Sequence, residues 1–258
     1  MHNGFQPFSS TVACLAAHRK NAGCVILVSN SPRSEKGVAK QLDEIGVTRN
    51  SYDAIVTSGD VTQDLMRQIG DGKLFHLGPS RDLSLFDGLS VARVSEDQAQ
   101  AIICTGLFHD DYETPEDYRV LLSNLYDRGL PMICANPDKV ARKGDKLQYC
   151  AGALAEVYGQ LGGSVVMAGK PYKPIYDLAC AKAGAWRGSD IAIGEILAIG
   201  DGPETDILGA ANQGFDCIYV SGGVRDHTDN LEDELAELRR LVPQANILEA
   251  TDALYWVP

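Results

Sequence analysis

Basic residues are scarce in this chain. Its 258 residues carry 23 Lys and Arg against 35 Asp and Glu, a formal net charge of −12, with a pI near 4.8. That balance excludes a general nucleic-acid binder, because phosphate backbones are held by surplus Lys and Arg. Metal-binding spacings are missing too. The seven cysteines (14, 24, 104, 134, 150, 180 and 217) include no C-x-x-C, and the five histidines form no metal-spaced pair, which argues against a zinc site. The cysteines read instead as buried, reduced thiols. No apolar run reaches the roughly 18 residues of a membrane span, and no signal-peptide pattern opens the chain. The expected setting is therefore cytoplasmic, without a membrane partner. What is abundant is apolar content, 45%, ample for one large domain or a core with an inserted lobe.

Short apolar runs alternate with helical segments. CVILV (24–28) precedes a helix near 34–45 stopped by Gly46, and AIVT (54–57) one near 60–69 stopped by Gly70. SVVMA (164–168) precedes a helix near 174–183 stopped by Gly184; ILAI (196–199) precedes one near 205–213 stopped by Gly214; CIYV (217–220) closes the series. Continuous rather than alternating apolar strands imply burial on both faces. The predicted fold is α/β, a doubly wound parallel sheet. Residues 72–152 have their own strands (KLFHL, SVARV, AIICT, PMICA) and a helix opening T-P-E-D at Thr114, a capped N-terminus. They read as an inserted α/β lobe within a discontinuous core of 1–71 and 153–258. The segment 229–241 reads as an amphipathic surface helix with Leu231, Leu235, Leu238 and Leu241 facing inward.

Ligands of open parallel sheets bind at the carboxyl ends of strands, so the residues just after each run carry information. CVILV ends in Ser29-Asn30, SVVMA in Gly169-Lys170-Pro171, ILAI in Gly200-Asp201. A hydroxyl, an amide, an ammonium and a carboxylate are thus expected along one edge of one sheet. Lys170 and Ser29 would neutralise phosphoryl oxygens, and a divalent cation on Asp201 would add to that. Magnesium is satisfied by one or two carboxylates plus waters. Each residue alone has a plainer reading: Asp206 as a helix cap, Lys170 as a solvated cation, Ser29-Asn30-Ser31-Pro32 as a turn. GGSVVMAGKP is not a P-loop, since Pro171 stands where Ser or Thr is needed, and no dinucleotide fingerprint opens a helix.

VILVSN, AGKP and AIGDGPETDI, in that order, with a lobe between the first two, resemble the haloacid dehalogenase superfamily of phosphohydrolases. The stretches ICANPD (133–138) and YCAGALAEVYGQLGG (149–163) are similar to its branch with a large α/β cap, which makes 72–152 the cap. The resemblance implies a magnesium-dependent phosphatase of small phosphorylated metabolites. It makes Ser29 the phosphate-binding hydroxyl, Asn30 its neighbour beside the substrate, Lys170 the phosphate-binding and catalytic lysine, Asp201 the metal ligand, and Asp206 the acid that supports them. It also implies a homodimer formed through the cap, with KLFHL as an edge.

The family's first motif, a strand ending in the D-x-D nucleophile, does not precede Ser29 in this sequence. HNGFQPF (2–8) resembles the segment that comes directly after that motif in relatives. The expectation is that Met1 is an internal methionine with the first strand encoded upstream, and that the chain as written is inactive. The alternative is a non-catalytic paralogue that binds phosphate esters. A phospho-acceptor signalling domain ranks behind both, since such domains lack a lobe and place their acceptor aspartate first. Arg33, Lys173 and KVARKGDKLQY (139–149) offer positive charge for a second anionic group, or merely a solvated surface.

Overall fold

A computed structural model describes residues 1, 6–143, 146–221 and 230–256. Its elements run in the order α1 (Ser9–Lys20), β1 (Ile26–Ser29), α2 (Glu35–Glu44), β2 (Ala54–Thr57), α3 (Ser58–Ile69), β3 (Lys73–Leu77), β4 (Ala92–Arg93), β5 (Ala101–Cys104), α4 (Arg119–Asp127), β6 (Met132–Cys134), β7 (Val140–Lys143), β8 (Lys146–Tyr149), α5 (Ala151–Gln160), β9 (Val165–Met167), α6 (Lys173–Arg187), β10 (Leu197–Gly200), α7 (Leu208–Gln213), β11 (Asp216–Val220), α8 (Leu231–Leu241) and β12 (Asn246–Thr251). The α/β class read from the sequence is the class observed. Two compact units divide the chain: 1–28, 39–55 and 170–258 form the first, 29–38 and 56–169 the second.

The second unit is built on a five-stranded parallel sheet in the order β4-β3-β5-β6-β9, so KLFHL, expected as an edge, lies between β4 and β5. Alternate side chains of each strand enter opposite cores. Phe75, Leu77, Ile102, Cys104, Met132 and Cys134 pack with Leu122, Leu125, Leu154 and Tyr158 of α4 and α5. Leu74, Ala101, Ile103 and Ile133 pack with Met66 of α3 and with Leu85 and Phe86. Burial on both faces explains why AIIC and MIC are unbroken apolar runs.

His76 sits on the second of these faces. Its Nε2 lies 2.9 Å from Thr105 Oγ1, and its ring meets Phe86 edge-on with centroids 5.3 Å apart. Burial, reinforced by Arg93, pulls its pKa down to about 4. A histidine kept neutral in the fold but free to protonate once unfolded contributes stability that is full above about pH 6.5 and falls as the pH drops toward 4. Partial exposure moderates the effect. Urea titrations at pH 7 and pH 5 should show wild type losing about 1–2 kcal/mol more than His76→Gln; equal losses would place the acid sensitivity elsewhere. Asp82, whose carboxyl burial pushes up, works in the opposite direction.

The first unit contains a three-stranded parallel sheet, β10-β11-β12. Strands β1 and β2 form a separate two-stranded sheet. Two expectations are corrected by this topology. The sequence places SVVMA beside CVILV and ILAI in one sheet, but β9 pairs with β6 in the five-stranded sheet, so the three strand ends belong to three sheets. And ILAI is not covered on both faces: Leu197 is 47% and Ile199 40% exposed. Leu197 and Ile199 are two residues apart and so share one face of β10, and that face is only partly covered among the described residues. In α8, Leu238 is buried as expected but Leu241, in the last turn, is exposed. The three cysteines in the strands β5, β6 and β11 are buried, and every cysteine is unpaired; burial pushes the Cys134 and Cys150 thiols up to about 12, so they are poor nucleophiles at neutral pH. No helix among the described residues is long and apolar enough to cross a membrane.

Candidate active site

Strand β10 ends at Gly200 and delivers Asp201, after which the chain turns tightly back on itself. A Cβ at Gly200 would lie 2.3 Å from Asp206 Cβ, and one at Gly202 2.1 Å from Thr205 Oγ1. A side chain at Gly200 would collide with the root of Asp206, and one at Gly202 would force the Thr205 hydroxyl to another rotamer. Asp206 Oδ2 accepts from Gly202 N at 3.0 Å, and its Oδ1 accepts from Lys170 Nζ at 2.6 Å. Both side chains of this ion pair are largely buried, 16% and 18% exposed. Burial alone would raise the Asp206 pKa. The Lys170 ammonium and the N–H groups of Gly202 and Asp201 outweigh it and hold the carboxyl below its ordinary range.

Asp201, Asp206 and Lys170 therefore share one small region of the first unit. Asp206 is paired with Lys170, and Asp201 is the carboxylate that the family resemblance gives to a metal. A single carboxylate with waters meets the needs of magnesium, although no group of three or more His, Cys, Asp or Glu side chains set for a metal occurs among the described residues.

Ser29 and Asn30 belong to the second unit. Ser29 Oγ accepts from Ser31 N, and Ser31 Oγ from Arg33 N, both at 3.2 Å. Asn30 is only 7% exposed; its Nδ2 donates to Asp138 Oδ1 at 2.9 Å. Of the other positive groups considered, Lys173 pairs with Asp177 one turn along α6 and Lys139 with Glu156 at 2.7 Å. Residues 144–145 of the basic cap segment, like 2–5, lie outside the described residues. Sequence reasoning missed Asp138 as a partner of Asn30. Its signal was the ICANPD stretch itself, where a carboxylate comes after a strand end as Asp201 does.

Comparisons with known proteins show the family. Residues 1–91 match the model of the haloacid dehalogenase-like hydrolase family, and residues 167–244 a second model described as HAD-hydrolase-like. A solved structure of a hydrolase of the haloacid dehalogenase-like family from Brucella suis is 43% identical, with 98% of this chain and 91% of that one covered and a TM-score of 0.84. A p-nitrophenyl phosphatase from Archaeoglobus fulgidus is 18% identical (96% and 90% covered, TM-score 0.74). A protein from Cytophaga hutchinsonii described as a possible sugar phosphatase is 19% identical (99% and 92%, TM-score 0.76). These two share the fold. No curated protein matches the chain.

Proposed function

The chain belongs to the haloacid dehalogenase-like hydrolases, and on that premise we propose that its site serves magnesium-dependent hydrolysis of small phosphate monoesters. The observation that carries this reading is the Lys170–Asp206 pair beside Asp201: a fixed ammonium for phosphoryl oxygens next to a carboxylate suited to a cation. Bound at Asp201, magnesium would supply charge neutralisation of the phosphoryl group. Lys170, held by Asp206, would donate to a phosphoryl oxygen; the family resemblance gives the Ser29 hydroxyl a phosphate-binding role of its own.

A second reading is a module that binds phosphate esters without cleaving them. Phosphate release from a metabolite panel, with and without magnesium, separates the two: magnesium-dependent release supports the first reading, and phosphate-ester binding without any release supports the second.

A further inference from the structure

Four segments that leave strands converge inside the second unit: Asn30 after β1, Ser58 after β2, Pro137 and Asp138 after β6, and Gly169 after β9. They meet without a side chain to separate them. A Cβ at Gly169 would lie 2.1 Å from Ser58 Oγ, 2.4 Å from Asn30 Oδ1 and 2.7 Å from Pro137 Cδ. Ser58 Oγ is fully enclosed and makes no hydrogen bond, so it is held there by packing alone.

The polar link in this junction is the Asn30 amide. Its Nδ2 donates to Asp138 Oδ1, a charge-assisted bond stronger than one between neutral groups. Asp138 is in turn fixed from both sides of its peptide: its N–H donates to Asn136 Oδ1 at 3.1 Å, and its carbonyl accepts from Gly152 N at 3.1 Å at the start of α5. On the other side of Asn30 stands the turn in which Ser29 Oγ and Ser31 Oγ each accept a backbone N–H. A hydroxyl that accepts still has its own proton to donate. The turn therefore offers two O–H donors, and they can be aimed at an oxyanion only if the backbone between them is held.

We propose that Asp138 is a positioning residue for the Ser29–Ser31 turn, acting through the Asn30 amide without touching the substrate. The inference rests on the phosphate-ester reading of the site. It assigns Asn30 to fastening the turn, and it gives the lobe that carries Asp138 a hold on the anion-binding donors. What matters is a hydrogen-bond acceptor at position 138, more than its charge.

Titration calorimetry of inorganic phosphate into the whole chain, with thermal unfolding run alongside, tests this. Asp138→Ala should weaken phosphate at least tenfold. Asp138→Asn, which keeps an acceptor, should stay within about threefold of wild type, because a tenfold change corresponds to about 1.4 kcal/mol and a preserved bond loses less. Asn30→Asp sets two carboxylates against each other and should weaken phosphate as Asp138→Ala does; adding Asp138→Asn restores a donor and should recover most of the loss. A purely architectural role would lower the melting temperature of Asp138→Ala and leave its phosphate affinity at the wild-type value, which overturns the inference. So would an Asp138→Asn variant as weak as Asp138→Ala. If Asp138→Ala does not fold, the Asn30→Asp variant and its rescue decide. Wild-type protein that binds no phosphate overturns the phosphate-ester reading and the inference with it, whereas wild-type binding that Asp138→Ala leaves intact overturns the inference alone.

Discussion

Lys170→Ala is expected to abolish measurable phosphate binding and to lower stability by about 3 kcal/mol. Two effects add. The ammonium that would meet the phosphoryl oxygens is gone, and the Asp206 carboxylate keeps only its backbone N–H partners in a largely buried place. Removing one member of a buried pair leaves an uncompensated charge, which is worse than never having had the pair. The variant should be rescued at low pH. Asp206 has a depressed pKa in the intact fold, so its contribution to stability is present above the unfolded carboxylate value and is lost as the pH falls through the folded one. Without Lys170 that pKa rises, and protonation near pH 5 relieves the buried charge. Urea midpoints at pH 7.5 and pH 5 should therefore converge for wild type and variant as the pH drops. A constant gap would mean that the pair contributes packing and not charge.

The second large effect is expected at Gly152. A Cβ there would lie 2.1 Å from the Pro137 carbonyl oxygen and 2.6 Å from that of Asp138. Both are backbone atoms, so no rotamer change relieves the contact, and the start of α5 must separate from the loop after β6. Gly152→Ala should destabilise by about 3 kcal/mol, the upper end of overpacking costs. Gly159, on the same helix with nothing within 4 Å of its Cβ position, is the control: alanine there should be neutral or stabilise by about 0.5–1 kcal/mol. Denaturant curves for the two variants check the contrast. If Gly152→Ala matches Gly159→Ala, the loop carrying Asp138 is softer than its packing indicates.

Local features were the most legible in the sequence. Gly214 ends α7 at a φ of 73°, as its position after an apolar segment suggests. Gly184 does not end α6; the helix runs on to Arg187 and is closed by Gly188 at a φ of 78°. Two glycines four residues apart look alike in sequence, and only backbone conformation tells a helix-interior glycine from a cap. Sheet membership was less legible for a related reason. VVM and ILAI are equally apolar, yet one joins β6 and the other β11, because an apolar run marks a strand without showing which neighbours it pairs with. The Lys170–Asp206 link came from the family resemblance. The Asn30–Asp138 link spans 108 residues; the ICANPD stretch puts Asp138 after a strand end, but nothing local names its partner.

Lys170 and Asp201 are expected to serve the same bound phosphate, the one directly and the other through magnesium, and the functional reading stands or falls with that pairing. Phosphate titrated calorimetrically into wild type, Lys170→Ala and Asp201→Asn, with and without magnesium, tests it most directly. The prediction is that wild type binds phosphate more tightly with magnesium, that Lys170→Ala loses at least tenfold in affinity, about 1.4 kcal/mol or more, and that Asp201→Asn loses the magnesium effect. Magnesium that tightens phosphate in Asp201→Asn as much as in wild type would contradict it.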